Sequence, residues 1–406
     1  MSNLENTLPA AMLPVAGISL AAIASGIKKN GSADLVLISI EEPSNCAATF
    51  TQNAFCAAPV TLAKKHLSQN SPRALLINSG NANAGTGDTG MRNAEQSCSW
   101  LARELACSPE QVLPFSTGVI GQQLPMDKMQ AGISRIKDEL SEDNWSSAAE
   151  GIMTTDTVAK TISKKIVIMG KAVTINGIAK GSGMICPNMA TMLSFIATDA
   201  DVENSFLQRC LTEAVADSFN SITVDGDTST NDACVLVATS KAGNERLVAD
   251  TEDASIFVAA LNDVCQHLAQ AIVRDAEGAT KFVTVSVKQA QSKDEARNVA
   301  YTVAHSPLVK TALFASDANW GRILAAVGRA DIEGLDISGV NLYLDDVCIV
   351  SNGGVDSGYS EERGQAVMSQ KDITITIELS RGTEAVQIWT SDLSHEYVRI
   401  NAEYRT

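Results

Sequence analysis

The chain has 406 residues, of which 45% are hydrophobic and 19% charged, an ordinary globular composition for which two domains are expected. A net charge of −16 and an aromatic content of 4% argue against nucleic acid or an anionic membrane surface as a partner. The nine cysteines form no CxxC pair, so neither a zinc site nor a disulfide framework is indicated. Reduced thiols in a cytoplasmic protein are expected.

The first elements are predicted to be buried strands. Residues 6–27 carry no charge, which superficially resembles a membrane span or a signal segment. An acidic residue precedes them, however, and Pro9 and Pro14 interrupt them, so we predict a buried strand and turn. The apolar runs 33–39 and 74–78 predict two further strands.

A glycine- and asparagine-rich loop, 79–85, separates the last of these strands from a predicted helix. Apolar residues recur at nearly helical period over 91–105, and Asp88 or Thr89 is the expected N-cap. Strand, loop and helix in this order also build phosphate sites. Neither GxxxxGK[ST] nor GxGxxG is present, so phosphate binding is not predicted.

Residues 114–121, PFSTGVIG, place a threonine hydroxyl beside a glycine amide at Thr117 and Gly118. Acyl transfer needs donors aimed at the oxygen that becomes negative in the tetrahedral intermediate, and this pair can supply two. The alternative is a plain turn.

Residues 166–180 contain two apolar runs around a glycine, which predicts a hairpin that ends at Lys180. A loop rich in glycine and small polar residues follows, and it leads through Thr191 into the apolar run 192–198. A hydroxyl at such a junction suits a nucleophile, because glycine lets backbone approach a ligand closely. The alternatives are a solvated lysine and an ordinary loop that enters a buried strand.

Two acidic segments follow. Residues 225–236 fail the EF-hand template, because Thr230 stands where glycine is needed and Leu236 where a bidentate glutamate belongs, so no metal site is predicted. Glu277 lies between a predicted helix, 254–272, and a predicted strand, 282–287. Its carboxylate suits recognition of a substrate amino group, and the alternative is a charge at a strand edge.

The stretch 180–200, KGSGMICPNMATMLSFIATDA, is similar to the signature of the ornithine acetyltransferase family, the glutamate N-acetyltransferases of arginine biosynthesis. The blocks at 79–85, 154–157 (TTDT) and 224–232 (VDGDTSTND) resemble those of the same family. At least seven such blocks occur in the family's order, from about residue 15 to the C-terminus.

This resemblance implies a set of functional residues. In the family the chain cuts itself before the matching threonine, which implies cleavage between Ala190 and Thr191. Thr191 would then carry both the nucleophilic hydroxyl and an α-amine base, whose unperturbed pKa is about 7.7–8.0. The family's oxyanion hole matches Thr117 and Gly118. The residues that match the family's substrate contacts are Thr155, Lys180, Thr191, Glu277, Asn401 and Thr406.

The resemblance also implies an α/β fold of the N-terminal-nucleophile-like kind: an αββα sandwich, similar to the DmpA-like proteins, with a smaller C-terminal domain. The expected α fragment, 1–190, carries the oxyanion hole and substrate contacts. The expected β fragment, 191–406, starts at the nucleophile and includes a C-terminal subdomain from about residue 290. The family suggests an α2β2 assembly.

The implied reaction moves acetyl from N2-acetyl-L-ornithine to L-glutamate through an acetyl-Thr191 intermediate. No cofactor is expected, although acetyl-CoA serves as a second donor in some members of the family. Two alternatives remain open: an N-terminal-nucleophile hydrolase or aminopeptidase, which passes the acyl group to water, and an uncut, non-catalytic binding protein.

Overall fold

The computed structural model describes residues 12–186 and 192–403. The strands are β1 (Ile18–Ile23), β2 (Leu35–Ile40), β3 (Asn45–Phe50), β4 (Ala74–Asn81), β5 (Val112–Val119), β6 (Lys160–Ile168), β7 (Lys171–Lys180), β8 (Leu193–Thr198), β9 (Ile222–Thr223), β10 (Ala233–Ala238), β11 (Phe282–Ala290), β12 (Asn341–Leu344), β13 (Val347–Ser351), β14 (Gly354–Val355), β15 (Asp372–Glu378) and β16 (Glu384–Ser391). The helices are α1 (Ala58–Leu67), α2 (Gly87–Leu105), α3 (Met126–Ile136), α4 (Trp145–Ile152), α5 (Asn204–Ala216), α6 (Glu252–Arg274), α7 (Lys293–Ala304), α8 (Pro307–Phe314), α9 (Trp320–Gly328), α10 (Glu361–Met368) and α11 (His395–Glu403).

The first of two compact units comprises residues 12–181, 192–220 and 228–272 and contains two sheets. One sheet has the order β1-β2-β4-β5, and the other has the order β3-β10-β8-β7-β6. Strand pairs β4–β5 and β8–β10 are parallel, and the others are antiparallel. The central strands are apolar runs with nearly every residue buried, as strands covered on both faces require.

The two sheets of this unit pack face to face. Phe115 of β5 meets Phe195 of β8 edge to face, with ring centroids 5.1 Å apart, within a shared core that contains residues of both sheets. Helices α1, α2 and α3 cover the outer face of the four-stranded sheet. On the other side, Gly177 of β7 lies against Leu268 of α6, and Gln208 of α5 hydrogen-bonds to the backbone of β3. The predicted αββα layering is therefore confirmed.

The second unit comprises residues 182–186, 221–227 and 273–403. Its seven-stranded sheet has the order β14-β13-β12-β15-β11-β16-β9. Alternate apolar residues of β11, β12 and β15 form a core with α7, α8, α9 and α10. The division into fragments 1–190 and 191–406 depends on cleavage and not on compactness, so it stays a prediction.

Some local predictions were wrong. The helix predicted from Met91 begins at Gly87, and its N-cap Thr86 makes no side-chain capping hydrogen bond, so neither Asp88 nor Thr89 is the cap. The alternative of a plain turn at Thr117 and Gly118 is also wrong, because both residues lie in β5.

By length and composition, α6 is the one helix within residues 12–186 and 192–403 that could cross a membrane. Buried core helices meet the same criterion, and Leu261, Val264 and Leu268 of α6 are fully buried.

Candidate functional site

The start of β8 is the described part of the chain that lies closest in sequence to the expected cut. Ala190 and Thr191 lie outside the described residues, three and two positions before β8 begins at Leu193. In the sheet, Leu193 is paired with Lys180 of β7 on one side and with Ala233 of β10 on the other. The predicted substrate lysine therefore flanks the strand that follows the expected nucleophile.

Thr117 and Gly118 lie near the carboxyl end of β5, beside β4. Thr117 is buried and pairs with Ser79, and Gly118 pairs with Gly80. Gly118 has a φ of +128°, and a Cβ there would lie 2.4 Å from the carbonyl carbon of Gly80 and 2.6 Å from the amide nitrogen of Asn81. Only glycine fits, because the backbone of β4 occupies the space of a side chain.

Lys28 is a cation near this strand end that the sequence reasoning missed. A Cβ on Gly80 would lie 3.1 Å from Cγ of Lys28, and the Lys28 ammonium donates to the carbonyl of Ala33 at 2.8 Å. Burial lowers the pKa of Lys28, against the opposing effect of nearby carboxylates that include Asp156, and Lys180 lowers it further. Lys28 therefore lies within electrostatic range of both Asp156 and the predicted substrate lysine.

Asp156 is the centre of a buried charge cluster in the same unit. Its Oδ1 accepts hydrogen bonds from the Lys160 ammonium at 2.5 Å and the Gly181 amide at 2.7 Å, and its Oδ2 accepts one from the Thr154 amide at 3.0 Å. Burial alone would raise the pKa of this carboxyl, but Lys180 and Lys160 and these hydrogen bonds hold the pKa well below its usual range. Asp156 is therefore ionised at neutral pH.

Thr155 and Lys180 are both attached to this cluster through the chain. Thr155 immediately precedes Asp156, and Lys180 immediately precedes Gly181, whose amide donates to the Asp156 carboxylate. Lys180 is 4% exposed and Thr155 is half-buried. Two predicted substrate contacts that are distant in sequence are thus brought to one carboxylate.

Asn231 and Asp232 are adjacent residues that reach two different strands of this unit. The Asn231 side-chain amide donates to the carbonyls of Ala82 at 2.7 Å and Ser116 at 2.9 Å. Asp232 Oδ1 accepts a hydrogen bond from the amide of Met192 at 2.9 Å. Two of the contacted residues are sequence neighbours of predicted catalytic residues, since Ser116 precedes Thr117 and Met192 follows the expected nucleophile.

The Asp232 carboxyl is buried and only partly satisfied. The residue is 1% exposed, and its Oδ2 has no hydrogen-bond partner among the described residues. Burial raises its pKa well above the usual value, against the opposing effects of the Met192 amide, the Ser229 hydroxyl and the charge of Lys180. No signal in the sequence distinguishes this residue from its neighbours, because the block 224–232 resembles the family's block as a whole.

Glu277 and Asn401 meet in the second unit. The Asn401 side-chain amide donates to Glu277 Oε2 at 2.7 Å, and the Glu277 backbone amide donates to the carbonyl of Ser182 at 2.9 Å. The Glu277 carboxylate lies against Gly183, where a Cβ would approach it to 2.5 Å. Thr406, the third predicted substrate contact in this part of the chain, lies outside the described residues.

Asp225 ties two segments of this unit together. It accepts hydrogen bonds from the amides of Met184 at 2.7 Å and Ile185 at 2.9 Å, and from the Tyr397 hydroxyl at 3.1 Å. Tyr397 lies on α11, one turn before Asn401. Burial raises the pKa of Asp225, against these hydrogen bonds. Asp225 thus anchors both the loop that leads to the cleavage segment and the helix that carries Asn401.

His305 and Cys186 approach each other in the same unit but do not form a reactive pair. His305 Nε2 lies 3.0 Å from the Thr223 hydroxyl and 3.8 Å from the Cys186 sulfur. Burial and the Lys310 ammonium lower the pKa of His305. Burial and the Asp225 carboxylate raise the pKa of the Cys186 thiol to about 11. Both groups are therefore neutral at pH 7, so this pair supplies no thiolate nucleophile.

Among residues 12–186 and 192–403, no three histidine, cysteine or acidic side chains are grouped as metal ligands would be.

Comparison with known proteins places these residues in a family. The ArgJ family matches residues 19–406. The arginine biosynthesis bifunctional protein ArgJ of Methylococcus capsulatus is 54% identical over 395 residues, which is 97% of each chain. Its counterpart in Pseudomonas fluorescens is 54% identical over 394 residues, again 97% of each chain. A solved structure of the ArgJ protein from Bacillus halodurans is 40% identical, covers 53% of this chain and 100% of its own, and has a TM-score of 0.51.

These matches confirm the resemblance seen in the motifs, and they confirm the enzyme class that it implied, an acetyltransferase of arginine biosynthesis. The chain belongs to the ArgJ family.

Proposed function

We propose that this enzyme moves an acetyl group from N2-acetyl-L-ornithine to L-glutamate by a ping-pong route. The chain cuts itself between Ala190 and Thr191, and Thr191 then carries the acetyl group as an ester. Thr117 and Gly118 donate to the oxygen that becomes negative in each tetrahedral intermediate.

The chemistry needs no group beyond these residues. The Thr191 hydroxyl attacks the acetyl carbonyl while its own α-amine takes the hydroxyl proton. The tetrahedral intermediate collapses, the carbon–nitrogen bond breaks, and the departing nitrogen receives that proton, so ornithine leaves. The glutamate amino group then attacks the ester, and the hydroxyl of Thr191 regains a proton as N-acetylglutamate forms.

The observation that carries the proposal is the short link between the two predicted catalytic strands. Asn231 hydrogen-bonds to the residue before Thr117, and the adjacent Asp232 hydrogen-bonds to Met192, the residue after the expected nucleophile. Because both bonds start from one dipeptide, the ends of β5 and β8 are held close together. An attacking hydroxyl and an oxyanion hole require that proximity.

The charges of the described residues suit an amino-acid substrate. Lys180 is a buried cation that can bind a substrate carboxylate, and Lys28 lies within its electrostatic range. In the second unit, the Glu277 carboxylate can accept a substrate amino group, with Asn401 fixing its orientation. Thr155 and Thr406 complete the proposed substrate contacts.

The length of one relative supports cleavage. The solved Bacillus halodurans chain corresponds along its entire length to 53% of this protein. Residues 191–406 make up the same share of the 406 residues. A chain of that length is what cleavage before Thr191 would produce.

Three parts of the proposal rest on the family alone. They are acetyl-CoA as a second acetyl donor, an assembly of two α and two β fragments, and a cytoplasmic location. No cofactor is proposed, since acetyl-CoA would act as a substrate.

The first experiment is mass measurement and N-terminal sequencing of the purified protein. We expect fragments of about 20 and 23 kDa, scaled from chain length, with the larger beginning Thr-Met-Leu-Ser. A single 42.8 kDa chain would show that the nucleophile is never freed and would favour a binding protein.

The second experiment measures ornithine release from N2-acetyl-L-ornithine with and without glutamate. Release that requires glutamate supports a transferase, whereas glutamate-independent release supports a hydrolase. Thr191→Ala should abolish both cutting and transfer, and Thr191→Ser should retain part of each, because serine keeps the hydroxyl and the α-amine.

A further inference from the structure

We infer that Asn231 and Asp232 are positioning residues for acetyl transfer: each holds a backbone group of a residue next to a predicted catalytic residue, the Ser116 carbonyl and the Met192 amide. The inference rests on the proposed function, since it assumes that Thr117 and Thr191 carry the chemistry. It gives a role to two residues of the block 224–232 for which the motif resemblance implied none.

Asn231 fixes the peptide unit between Ser116 and Thr117. Its side-chain nitrogen donates to the Ser116 carbonyl at 2.9 Å and to the Ala82 carbonyl at 2.7 Å. The Thr230 hydroxyl donates to Asn231 Oδ1 at 2.5 Å, which sets the amide so that its NH2 group faces the two carbonyls. Because a peptide unit is planar, holding the Ser116 carbonyl also sets the direction of the Thr117 amide.

Asp232 fixes the backbone amide of Met192, the residue that follows the expected nucleophile. Its Oδ1 accepts a hydrogen bond from the Met192 amide nitrogen at 2.9 Å. The Met192 carbonyl in turn accepts one from the Ala233 amide at 3.2 Å. Both polar backbone atoms of Met192 are therefore held by consecutive residues, and the strand that follows the nucleophile has a fixed start.

The backbone of the dipeptide's own loop is anchored, so the two side chains have a rigid base. The Thr51 amide donates to the Asp232 carbonyl at 3.0 Å, and the Ala57 amide donates to the Thr230 carbonyl at 3.0 Å. The Thr51 hydroxyl donates to the Ser229 carbonyl at 2.7 Å. Groups that orient catalytic residues need such support, because small displacements are costly in rate.

The hydrogen bond to the Met192 amide does not itself require a carboxyl at position 232. Asparagine would accept the same hydrogen bond from Met192 without burying an ionisable group whose Oδ2 lacks a hydrogen-bond partner among the described residues. Asp232→Asn and Asp232→Ala therefore separate the hydrogen bond from the charge. If positioning is the role, Asp232→Asn should retain activity and Asp232→Ala should lose it.

The chain contains matched controls in the same unit. Asn244 is 7% exposed, as is Asn231, and its amide likewise donates to two carbonyls, of Asp201 at 3.1 Å and Glu245 at 2.7 Å. Asp199 is buried, and its Oδ1 accepts one backbone hydrogen bond, from Thr174 at 2.8 Å. Within the described residues, neither control hydrogen-bonds to a peptide unit next to a predicted catalytic residue.

The test compares Asn231→Asp and Asn231→Ala with Asn244→Asp and Asn244→Ala, at matched fractions of cut and folded protein. In Asn231→Asp a carboxylate oxygen faces the Ser116 carbonyl, so the peptide unit must move. We expect kcat to fall about 100-fold, the cost of a displacement near 1 Å, with KM changed less than threefold. The Asn244 variants should melt at similarly lowered temperatures yet keep kcat within threefold of the wild type.

The aspartate pair is tested in the same way, with the rate of self-cleavage measured first. Asp232→Ala should slow cutting or transfer about 100-fold, Asp232→Asn should stay within fivefold of the wild type, and Asp199→Ala should change neither rate by more than threefold. Equal losses in Asp232→Asn and Asp232→Ala would overturn positioning by Asp232, because the ionisable group itself would then matter.

The outcomes also separate the inference from the proposed function. A wild-type protein that is cut and moves acetyl, together with Asn231 variants no slower than the Asn244 variants, overturns the inference alone. A wild-type protein that moves no acetyl overturns the proposed function and the inference with it.

Discussion

Replacing Gly118 by alanine should damage the oxyanion hole more than any other single methyl group added to β5. The new Cβ would lie 2.4 Å from the Gly80 carbonyl carbon, whereas ordinary contacts begin near 3.4 Å, so the strands must separate by about 1 Å. The positive φ of +128° adds about 1–3 kcal/mol of backbone strain. Overpacking adds about 1–3 kcal/mol more, so we expect unfolding free energy to fall by about 2–6 kcal/mol.

The separation displaces Thr117 with Gly118, so kcat for acetyl transfer should fall at least 100-fold, the usual result of a 1 Å misplacement. Gly121→Ala is the control: its φ is also positive, at +83°, but nothing lies within 4 Å of the added methyl. It should lose only about 1–2 kcal/mol of stability and little activity. Steady-state kinetics and denaturant unfolding of both variants provide the measurement. If Gly118→Ala matched Gly121→Ala in both, the close approach of β4 and β5 would not matter to catalysis.

Four further variants test other parts of the site. Thr117→Ala should lower kcat roughly 10²–10³-fold, and a loss below tenfold would argue against an oxyanion donor. Asp156→Asn removes the negative charge from the buried ion pair between Asp156 and Lys160 and should cost about 3–5 kcal/mol in denaturant unfolding at pH 7. Because the folded-state pKa of Asp156 is depressed, the stabilising effect of its carboxylate is present above the unfolded pKa of about 3.9 and is lost as pH falls. The difference in unfolding free energy between the wild type and Asp156→Asn should therefore become smaller below pH 4. Glu277→Gln should raise KM for the amino-acid substrates about 10- to 100-fold, the equivalent of a charge-assisted hydrogen bond worth 1.5–3 kcal/mol, while cutting proceeds unchanged. The folded-state pKa of Asp232 is raised, so the contribution of its carboxyl to stability is full below about pH 3.9 and declines as pH rises. The melting temperature of Asp232→Asn, measured relative to that of the wild type, should therefore increase from pH 4 to pH 7. A difference in melting temperature that stays constant with pH would contradict the raised pKa.

Much of the fold was accessible from sequence because apolar runs and periodicity report burial directly. The predicted strand 74–78 forms the body of β4, and the predicted hairpin ending at Lys180 is formed by β6 and β7. The start of α2 was missed because its N-cap makes no side-chain hydrogen bond, so the capping signal pointed to the wrong residue. The strand character of residues 112–119 was hidden by the serine, threonine and glycine near its end.

The candidate site was predictable only where a motif carried it. Motifs identified Thr117 and Lys180, but a motif does not reveal residues that interact only after the chain has folded. Lys28 and Asp156 are 128 positions apart in sequence, and only the folding of the chain brings their charges within range of each other. Asp232 was missed for a related reason: its significance lies in a hydrogen bond to Met192, 40 positions earlier.

The order of the five-stranded sheet has a consequence for how a cut protein would behave. β7 and β8 are neighbours in the middle of that sheet, yet the expected cut falls in the loop that joins them. The cut would leave β3, β6 and β7 on one polypeptide and β8 and β10 on the other, interleaved as β3-β10-β8-β7-β6. Before the cut, assembly of the sheet is unimolecular, and after it the same pairing requires two chains to meet, so the effective concentration supplied by the loop is lost. Denatured cut protein should therefore recover its fold with a yield that falls on dilution, whereas the intact precursor should recover equally well at any concentration.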